Sequence, residues 1–348
     1  MTGFPPEERY ARQIRFAPIG AEGQARIGRA HVAIVGVGAL GCVVANQLAR
    51  AGVGTLTLVD RDVVDASNLQ RQLLYDERDA ASGTPKAVAA ARRLAAANGG
   101  IAIRPHAVDL TAANADTLLG GADLVVDGTD NFGVRYLMNE WCVRTGTPWI
   151  YGAAVGASGM TMTVLPGQTP CLRCLFPEPP PGGSLDTCET AGVVAPIVDT
   201  IASIEAMEAL KLLAGRTEAL HGKLLQVDLW RMEWQPLGIG HARRADCPVC
   251  AERRFELLEG DTSREPVTAA LCGRNTVQVS PAEPAALDLE RLAGRWRALG
   301  DVELNAYLLR LRRTDGLLFS LFPDGRALIS GTDDPGRARR VYTELLGE

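Results

Sequence analysis

The feature that most constrains the fold of this chain is a glycine-rich turn between an apolar strand and a helix. Residues 31–36 form an apolar run that predicts a strand, and residues 40–51 have a helical pattern. Between them, Gly36, Gly38 and Gly41 fit the spacing G-x-G-x-x-G. The first two glycines permit a tight turn and let a phosphate approach the backbone, and the helix offers free N–H groups at its N-terminus. The turn therefore predicts a site for an adenine nucleotide and leaves the identity of that nucleotide open.

A regular alternation of strands and helices follows the turn. The second strand, residues 54–60, ends in Asp60, where an acid can accept hydrogen bonds from ribose hydroxyls. Alternation of this kind predicts a doubly wound, mostly parallel sheet, which is a Rossmann-like fold of the α/β class. The other predicted elements of this region are helices at residues 7–14, 85–97, 112–119 and 196–213, and strands at residues 101–108, 123–127, 148–154, 160–165 and 223–229.

A change of composition divides the chain. Residues 252–265 are rich in charge, and we interpret them as a linker. We therefore expect a large nucleotide-binding domain at residues 1–260 and a small α+β domain at residues 261–348. The sequence of the small domain indicates no role for it, and its predicted elements are two helices and strand-like runs at residues 276–279, 307–311, 317–322 and 327–330.

Polar residues that follow consecutive strands favour ATP over a nicotinamide. Ligands of open α/β sheets bind at the carboxyl ends of the strands, and so we expect side chains placed there to meet. Arg71 and Lys86 can neutralise charge on a triphosphate, and Asp130 can hold Mg²⁺ between phosphate oxygens. Attack of a carboxylate on an α-phosphate needs this set, whereas hydride transfer does not. The complete set is Asn68, Arg71, Gln72, Lys86, Asp130 and Asn131.

Each of these residues also has a simpler interpretation. An isolated arginine or lysine is most often a solvated surface charge, and Asp130 alone could cap a helix. A nicotinamide-dependent oxidoreductase would share the glycine turn, and a scaffold that binds ATP without turnover is a further alternative. The joint occurrence of Arg71, Lys86 and Asp130 favours the enzyme, and the lack of a histidine placed near the predicted sheet edge disfavours the oxidoreductase.

Two C-x-x-C pairs predict a metal site. Cys171 and Cys174 form the first pair, and Cys247 and Cys250 form the second. Four thiolates with no spare position for a further ligand make a closed tetrahedral Zn²⁺ site, which is structural. Two unrelated redox or buried pairs are the alternative. A zinc ion at this place would tie the segment after Cys247 to the middle of the large domain.

Of the other four cysteines, Cys188 has the most specific context. It follows a run rich in proline and glycine at residues 177–183, which predicts a surface loop. A thiol on such a loop could attack an acyl-adenylate or form an acyl disulfide, and an idle thiol is the equal alternative. Cys42 and Cys142 are most simply buried apolar residues, and Cys272 has no assignment.

Charge and hydropathy limit the classes of partner and the compartment. The net charge is −5 and the isoelectric point is about 5.6, without the basic stripe that is typical of nucleic-acid binders. Residues 1–15 lack the apolar core and cleavage site of an export signal, and residues 193–204, the longest apolar stretch, are interrupted by Pro196 and Asp199. We therefore expect a cytoplasmic protein that contacts neither nucleic acid nor a membrane.

Taken together, these motifs resemble the ThiF/MoeB/HesA family, which is related to ubiquitin-activating enzymes. The resemblance implies a homodimer that binds Mg-ATP and adenylates the C-terminal Gly-Gly of a ubiquitin-like sulfur carrier such as ThiS or MoaD. It covers residues 8–250, in register. The strings that carry it are Arg9-Tyr-Ala-Arg12-Gln-Ile14, the glycine turn, Asp60 with residues 67–72, Lys86, and Asp127-Gly-Thr-Asp130-Asn131.

The resemblance also implies roles for single residues. In this family, the residues that match Asp60, Asn68, Arg71, Lys86 and Asp130 surround the ATP. The arginine that matches Arg12 reaches the triphosphate bound to the partner subunit. A zinc ion lies at the matching cysteines, and the chemistry does not use it. Ala39 replaces the third glycine of the family's Gly-x-Gly-Gly-Leu-Gly, and an alanine suits the start of a helix.

The resemblance favours one carrier over the other. Residues 270–278 and 324–332 are similar to an extension found on some ThiF-like proteins, which favours ThiS and thiamin thiazole synthesis over MoaD and molybdopterin synthesis. A sulfur donor such as a cysteine desulfurase is an implied partner. In ThiF-like members the cysteine that matches Cys188 is linked covalently to the carrier, whereas in MoeB-like members it is dispensable. The extension therefore favours the covalent role.

Overall fold

The computed structural model describes residues 4–178, 191–260, 267–271, 275–281 and 285–347, with the backbone alone at 267–271. The chain separates into two compact units, Met1–Gly260 and Asp261–Glu348. Each unit has a sheet and a hydrophobic core of its own. Among the described residues, no helix combines the length and the apolar character that crossing a membrane requires.

An eight-stranded sheet forms the centre of the first unit. Its strands, numbered along the chain, are β1 (His31–Val35), β2 (Thr55–Val59), β3 (Ala102–His106), β4 (Leu124–Asp127), β5 (Trp149–Val155), β6 (Ser158–Val164), β7 (Lys223–Asp228) and β8 (Glu233–Gly238). Their order in the sheet is β3-β2-β1-β4-β5-β6-β7-β8. The first five pair in parallel, and β6, β7 and β8 continue the sheet in antiparallel pairs.

Helices cover both faces of this sheet. They are α1 (Pro6–Arg9), α2 (Ala11–Ile14), α3 (Gly20–Ile27), α4 (Ala39–Ala51), α5 (Glu77–Ser82), α6 (Lys86–Ala97), α7 (Ala115–Leu119), α8 (Phe132–Thr145), α9 (Leu172–Leu175), α10 (Ala195–Leu213) and α11 (Glu256–Glu259). Neighbouring residues of a strand point to opposite faces. In β1, Ile34 joins a core with α4, α6 and α10, whereas Val35 joins a second core with α7 and α8. The doubly wound sheet predicted from the sequence is confirmed.

The carboxyl ends of β1 and β4 form the point at which the strand order reverses. After β1 the chain moves outward to β2 and β3, and it then returns to the other side of β1 as β4. Ligands of open α/β sheets bind in the crevice at such a switch point. The glycine turn follows β1 and Asp130 follows β4, and so the topology brings these two predicted features to the same edge.

In the second unit, the described residues form six antiparallel strands and two helices. The strands are β9 (Val267–Leu271), β10 (Thr276–Ser280), β11 (Gly300–Leu304), β12 (Leu309–Arg313), β13 (Leu318–Leu321) and β14 (Ala327–Ser330), and the helices are α12 (Leu289–Trp296) and α13 (Pro335–Leu346). The strand order is β11-β12-β13-β14-β10-β9. Trp296 of α12 packs edge-on against Phe319, with 5.5 Å between the ring centroids, and Tyr342 of α13 lies 6.3 Å from the same ring. The unit is an α+β unit, as the sequence predicts.

Some elements differ from the sequence prediction. The helix predicted at residues 7–14 is interrupted at Tyr10, so that α1 and α2 are separate turns. Tyr10 leaves the helix because its ring packs against Gly52 at the end of α4. The sequence does not predict β8, and all six residues of this edge strand are exposed, so no alternation of apolar and polar residues marks it.

Candidate nucleotide site and cysteine cluster

Close packing of backbone atoms fixes the glycine turn. Gly36 has a φ of +83°, which is a left-handed conformation that favours glycine. A Cβ atom on Gly41 would lie 1.9 Å from the carbonyl oxygen of Gly36, and so only glycine lets α4 start this close to β1. Gly38 is the N-cap of α4, and among the described residues no side chain caps this helix. The first N–H groups of α4 are therefore available to an anion such as a phosphate.

The carboxylate of Asp60 lies directly beside this turn. Its Oδ2 accepts the N–H of Val37 at 2.7 Å, and its Oδ1 accepts the N–H of Asp62 at 2.8 Å. Burial raises the pKa of Asp60, and the positive charge of Lys86 opposes that rise. Asp60 therefore ties the turn after β1 to the loop after β2, at the place where the sequence predicts contact with a ribose.

Asn68 and Arg71 lie in the loop after β2. Asn68 ends a short 3-10 turn, and its Oδ1 accepts the N–H of Asp65 at 3.3 Å. Arg71 is half-buried, and one of its guanidinium nitrogens donates to the carbonyl of Ser67 at 2.9 Å. This bond leaves the rest of the planar guanidinium group to meet a phosphate, since the group carries five N–H donors.

Gln72 reaches the glycine turn itself. The side chain is 4% exposed, and its amide nitrogen lies 3.8 Å from the position that a Cβ atom on Gly38 would occupy. Its amide oxygen is buried and has no hydrogen-bond partner in the part of the chain that the structure describes. A buried acceptor without a partner is costly, and a ligand group that donates a hydrogen bond, such as a hydroxyl, can satisfy it, whereas a phosphate oxygen cannot.

Lys86 is buried at the start of α6 and forms an ion pair. Its Nζ lies 3.0 Å from Oδ2 of Asp62, and the lysine side chain is 3% exposed. The charge acts on the residues around the glycine turn, because Lys86 opposes the rise that burial causes in the pKa of Asp60 and of Cys42. The structure therefore brings Lys86 and Asp60 together, as the sequence predicts.

The loop after β4 presents Asp130 to solvent. The N-cap of α8 is the next residue, Asn131, whose Oδ1 accepts the N–H of Val134 at 3.2 Å. The alternative interpretation of Asp130 as a helix cap is therefore wrong. An exposed carboxylate suits Mg²⁺, which keeps several of its waters and binds through one or two carboxylates together with substrate phosphates.

Four cysteines converge between α9 and the segment after β8. They are Cys171, Cys174, Cys247 and Cys250, and their Sγ atoms all lie within 4.8 Å of one another. The separations are 3.9 Å within the first pair, 3.7 Å between Cys171 and Cys247, and 3.4 Å between Cys174 and Cys250. Tetrahedral Zn²⁺ with Zn–S bonds of about 2.3 Å places its sulfurs about 3.8 Å apart. The cluster therefore fits zinc.

The thiols of this cluster cannot ionise together unless a cation compensates their charge. A hydrogen bond from the Cys171 thiol lowers the pKa of Cys174 to about 4, whereas the same bond, together with burial, raises the pKa of Cys171. Zinc requires all four as thiolates and supplies the missing positive charge. The donor set and its burial are those of a closed structural site.

Helix α8 holds both halves of the cysteine cluster. Oδ1 of Asn139 accepts the N–H of Leu172, next to the first pair, at 2.9 Å. A carboxylate oxygen of Glu140 accepts the N–H groups of Leu257 and Leu258, beyond the second pair, at 2.9 and 3.2 Å. These bonds orient the two segments, as groups around a metal site commonly orient its ligands.

Comparison with known proteins identifies the family. The sequence profile described as the ThiF family matches residues 10–249. The chain belongs to the ThiF family. The sulfur carrier protein ThiS adenylyltransferase of Bacillus subtilis is 43% identical over 348 residues, which is all of both chains. The SAMP-activating enzyme E1 of Haloferax volcanii is 40% identical over 252 residues, 72% of this chain and 92% of that one. The structure of E. coli MccB matches with a TM-score of 0.61 and 25% identity, over 70% of this chain and 72% of that one.

Membership of the ThiF family decides the class of enzyme. The match covers the glycine turn, the loop after β2, the start of α6, the loop after β4 and three of the four cysteines of the cluster, and it ends one residue before Cys250. The chain is an adenylyltransferase, and the alternative of a nicotinamide-dependent oxidoreductase is wrong. The glycine turn alone could not separate the two, because both classes bind an adenine nucleotide at such a turn.

Two further residues shape this ThiF-family site, and the sequence alone assigns a role to neither of them. A Cβ atom on Gly128 would lie 2.1 Å from the carbonyl oxygen of Gly36, so this glycine lets the turn after β4 approach the turn after β1. Arg135 of α8 is 4% exposed, and its Nε donates to the fully buried Asp127 at 2.8 Å. Its Nη2 donates to the carbonyls of Thr129 at 2.5 Å and of Gly152 at 2.9 Å. Arg135 thereby fixes the loop that carries Asp130.

Arg12 does not join the other predicted site residues within one chain. It is exposed on α2, directly after Tyr10, whose ring packs against Gly52 at the C-terminal end of α4. The glycine turn lies at the opposite end of α4, and the 13 residues of this helix span about 20 Å. The structure therefore does not bring Arg12 to the glycine turn of its own chain.

The remaining cysteines divide into two groups. Cys42 and Cys142 are fully buried, in agreement with their interpretation as apolar residues. Burial raises the pKa of Cys42 to about 12, and it also raises that of Cys142. Cys188 and Cys272 lie outside the described residues.

Proposed function

We propose that this ThiF-family chain uses Mg-ATP to adenylate the C-terminal glycine carboxylate of a ubiquitin-like sulfur-carrier protein. The observation that supports the proposal is that Asp60 lies directly against the glycine turn, with Lys86 close enough to act on its pKa, and that Asp130 follows the neighbouring strand β4. The names of two relatives support the choice of substrate, since one acts on the carrier ThiS and the other activates SAMP.

The reaction joins a carboxylate oxygen of the carrier to the α-phosphorus of ATP. The bond from this phosphorus to the oxygen that bridges to the β-phosphate breaks, and pyrophosphate leaves with the electron pair. A C-terminal carboxylate is ionised at neutral pH, and so the attack requires no general base. The protein contributes mainly the alignment of the two substrates and the neutralisation of their charges.

The side chains at the sheet edge divide these tasks. Asp60 binds the ribose hydroxyls, and the first N–H groups of α4 hold phosphate oxygens. Lys86 and Arg71 offset the charge that develops on the leaving pyrophosphate. Asp130 holds Mg²⁺, which when bound neutralises phosphate charge and orients the phosphate oxygens.

Three amide side chains complete the proposed nucleotide site. Gln72 supplies an amide oxygen that can accept a hydrogen bond from a hydroxyl of the nucleotide, and Asn68 lies in the same loop. Asn131 acts through its cap of α8, which fixes the backbone next to Asp130. We assign nucleotide contacts to Gln72 and Asn68, and a supporting position to Asn131.

A ThiS-like carrier is favoured over a MoaD-like carrier. The similarity to the Bacillus relative extends over all 348 residues and so includes the second unit, whereas the similarity to the Haloferax enzyme covers 72% of the chain. We therefore assign the chain to sulfur transfer in thiamin thiazole biosynthesis. Adenylation of a MoaD-like carrier for the molybdenum cofactor is the second candidate, because the adenylation site itself does not distinguish the two.

We further propose a homodimer in which Arg12 completes the nucleotide site of the partner subunit. The support is the distance of about 20 Å along α4 between the Arg12 region and the glycine turn. Arg12→Ala and Asp130→Ala should each abolish activity when pure, and mixed dimers should regain part of it. In such a dimer, one site combines the intact Asp130 of one subunit with the intact Arg12 of the other. Absence of any recovery after subunit exchange would contradict the arrangement in trans.

Zinc and Cys188 have separate roles in this proposal. Zinc at the cysteine cluster stabilises the fold and takes no part in adenylation. After adenylation, a sulfur donor such as a cysteine desulfurase supplies the sulfur. We assign to Cys188 a covalent link with the carrier, because the similarity of residues 270–278 and 324–332 to the extension of ThiF-like proteins favours this role over an idle thiol.

ATP–pyrophosphate exchange with purified carriers tests the proposed function. The panel contains the proteins of the same genome that end in Gly-Gly, together with truncated forms that lack the last glycine. We expect exchange with a full-length ThiS-like carrier and none with its truncated form. If no carrier of the panel supports exchange, the proposed function is wrong.

A further inference from the structure

Asp62 joins two of the proposed nucleotide-binding residues through three of its polar groups. Its backbone N–H donates to Oδ1 of Asp60 at 2.8 Å. Its carbonyl accepts the backbone N–H of Lys86 at 2.9 Å, and its Oδ2 lies 3.0 Å from the ammonium of Lys86. Asp62 therefore connects the ribose side of the site with the phosphate side.

A short antiparallel bridge holds Asp62 and Lys86 at a fixed separation. Val63 pairs with Pro85, and the N–H of Val64 donates to the carbonyl of Thr84 at 2.9 Å. The loop after β2 and the start of α6 thus form one paired unit. The backbone pairing fixes the position of the Cα atom of Lys86, and the carboxylate of Asp62 fixes the position of its ammonium group.

The burial of Lys86 makes this ion pair important. Lysine has a flexible four-carbon stem, and its ammonium is a strongly hydrated point charge. The side chains of Lys86 and Asp62 are 3% and 15% exposed, and so the ammonium has little access to water. A buried charge that loses its partner is strongly destabilised. Asp60 uses both carboxylate oxygens for backbone N–H groups, whereas Asp62 offers Oδ2 to the ammonium.

We infer that Asp62 is a positioning residue. It holds the ammonium of Lys86 beside the glycine turn, so that the ammonium is already ordered when the phosphates of ATP bind. The inference rests on the proposed function, in which Lys86 neutralises the triphosphate. A side chain that is ordered before the ligand binds lowers the entropic cost of binding, and its charge is already aligned for the reaction. Asp62 acts on the nucleotide through Lys86.

Asp62→Asn tests the inference, because it removes the charge and keeps the size and the backbone bonds. We expect Mg-ATP to bind about 10-fold more weakly by calorimetry, the order expected for loss of a group that orients a ligand-binding side chain. The melting temperature should also fall, because the buried ammonium of Lys86 loses its charged partner, and the double-mutant cycle then separates the effect on binding from the effect on stability. Asp109→Asn is the matched control, since it removes the carboxylate of the neighbouring Arg61–Asp109 pair, which is 3.0 Å long. This control should bind Mg-ATP as the wild-type protein does.

A double-mutant cycle with Lys86→Gln separates positioning from a purely structural role. If Asp62 acts through Lys86, Asp62→Asn should weaken Mg-ATP binding no further in the Lys86→Gln background. Additive losses, or wild-type binding by Asp62→Asn, would overturn the inference. If Asp62→Asn does not fold, Asp62→Glu takes its place, since it keeps the charge and displaces the carboxylate, and the same cycle decides.

The measurement of binding also keeps this inference separate from the proposed function. Calorimetry with Mg-ATP needs no carrier protein. A wild-type protein that binds Mg-ATP but supports no exchange with any carrier would overturn the proposed function, and the cycle would still decide the role of Asp62. A wild-type protein with no affinity for Mg-ATP would overturn both.

Discussion

Helix α8 connects two regions that hold their ligating groups in opposite ways. At its start, Asp130 is exposed at the carboxyl edge of the parallel strands, and the next residue, not Asp130, caps the helix. Nine and ten residues later, Asn139 and Glu140 hold the segments of the cysteine cluster, in which three of the four thiols are buried. The first region is open to exchange of ligands and the second is closed to it.

The difference agrees with the function that we propose for each region. A site that admits ATP and a protein substrate and releases pyrophosphate must keep polar groups accessible, and the fold supplies rigidity from behind. Arg135 gives this support to the Asp130 loop. A structural metal site is most stable when every ligand is buried and oriented. Substitutions in the two regions should therefore separate loss of activity from loss of stability.

The largest effect on stability is expected for the cysteine cluster. Cys171→Ser should release the metal and unfold the first unit at a much lower temperature, because binding of structural zinc contributes about 10–16 kcal/mol in small zinc domains. Metal analysis and thermal unfolding check this. Cys142→Ala is the control, since Cys142 is fully buried but lies outside the cluster, and it should keep its zinc. Wild-type protein purified without chelator and free of zinc would contradict the prediction.

At the Asp130 loop we expect a large loss of activity without a loss of stability. Asp130→Ala should lower ATP–pyrophosphate exchange by at least about 100-fold, the size of effect seen for loss of one group that stabilises developing charge. Its melting temperature should stay at the wild-type value, because Asp130 is exposed. Asn131→Ala, one residue away, should instead cost about 1 kcal/mol of stability through loss of the helix cap. Equal loss of stability and activity in Asp130→Ala would assign it a structural role.

A smaller effect is expected at Glu205 of α10, a buried carboxyl group outside both regions. Neither of its oxygens has a partner in the described part of the chain, and burial raises the pKa of Glu205 well above its ordinary value. The folded state therefore keeps a proton that the unfolded state releases above a pKa of about 4.3. Stability falls as the pH rises from that value towards the raised one.

Glu205→Gln removes this dependence, because glutamine has no proton to lose. At pH 7.5 the melting temperature of the variant should exceed that of the wild-type protein by about 2–4 °C for each 1 kcal/mol by which the free energy of unfolding rises. At pH 4 the two melting temperatures should be equal. Glu208→Gln is the matched control. Glu208 is also buried, but it pairs with Lys211 at 2.6 Å, so its loss should lower the melting temperature. If the difference in melting temperature between Glu205→Gln and the wild-type protein is the same at both pH values, the raised pKa of Glu205 does not cause it and the prediction is wrong.

The smallest effect on adenylation is expected for Cys188. Cys188→Ser should leave ATP–pyrophosphate exchange unchanged, because adenylation precedes any step that uses a thiol. Formation of carrier thiocarboxylate, and the band of enzyme linked to carrier on a non-reducing gel, should both disappear. An unchanged yield of thiocarboxylate would identify Cys188 as an idle thiol and favour the MoeB-like branch of the family.

The sequence predicts those parts of the site that depend on local pattern. The glycine turn, Asp60 and the two C-x-x-C pairs are recognisable because each lies in a short string with fixed spacing. Gly128 is different, because its need for glycine arises from the approach of Gly36, which lies in another strand turn 92 residues earlier. No local pattern marks such a contact.

Arg135 and Asp62 escape prediction for related reasons. Arg135 lies in no recognisable motif, and an arginine without such a context is usually a surface charge, whereas residues 135–143 of α8 are all buried. Its role follows from the carbonyls of Thr129 and Gly152, which only the paired strands bring within reach. Asp62 lies two residues after the acid that the glycine motif leads one to expect, and its role appears only when α6 folds back onto the loop after β2.

The transfer of label from ATP to the carrier tests the central claim most directly. The wild-type protein is incubated with Mg²⁺, a ThiS-like carrier and ATP radiolabelled either at the α-phosphorus or at the γ-phosphorus, and the carrier is then separated and counted. Adenylation predicts that the α label moves to the carrier and that the γ label is released as pyrophosphate. Transfer of the γ label to the carrier, or of neither label, would contradict the proposed adenylation.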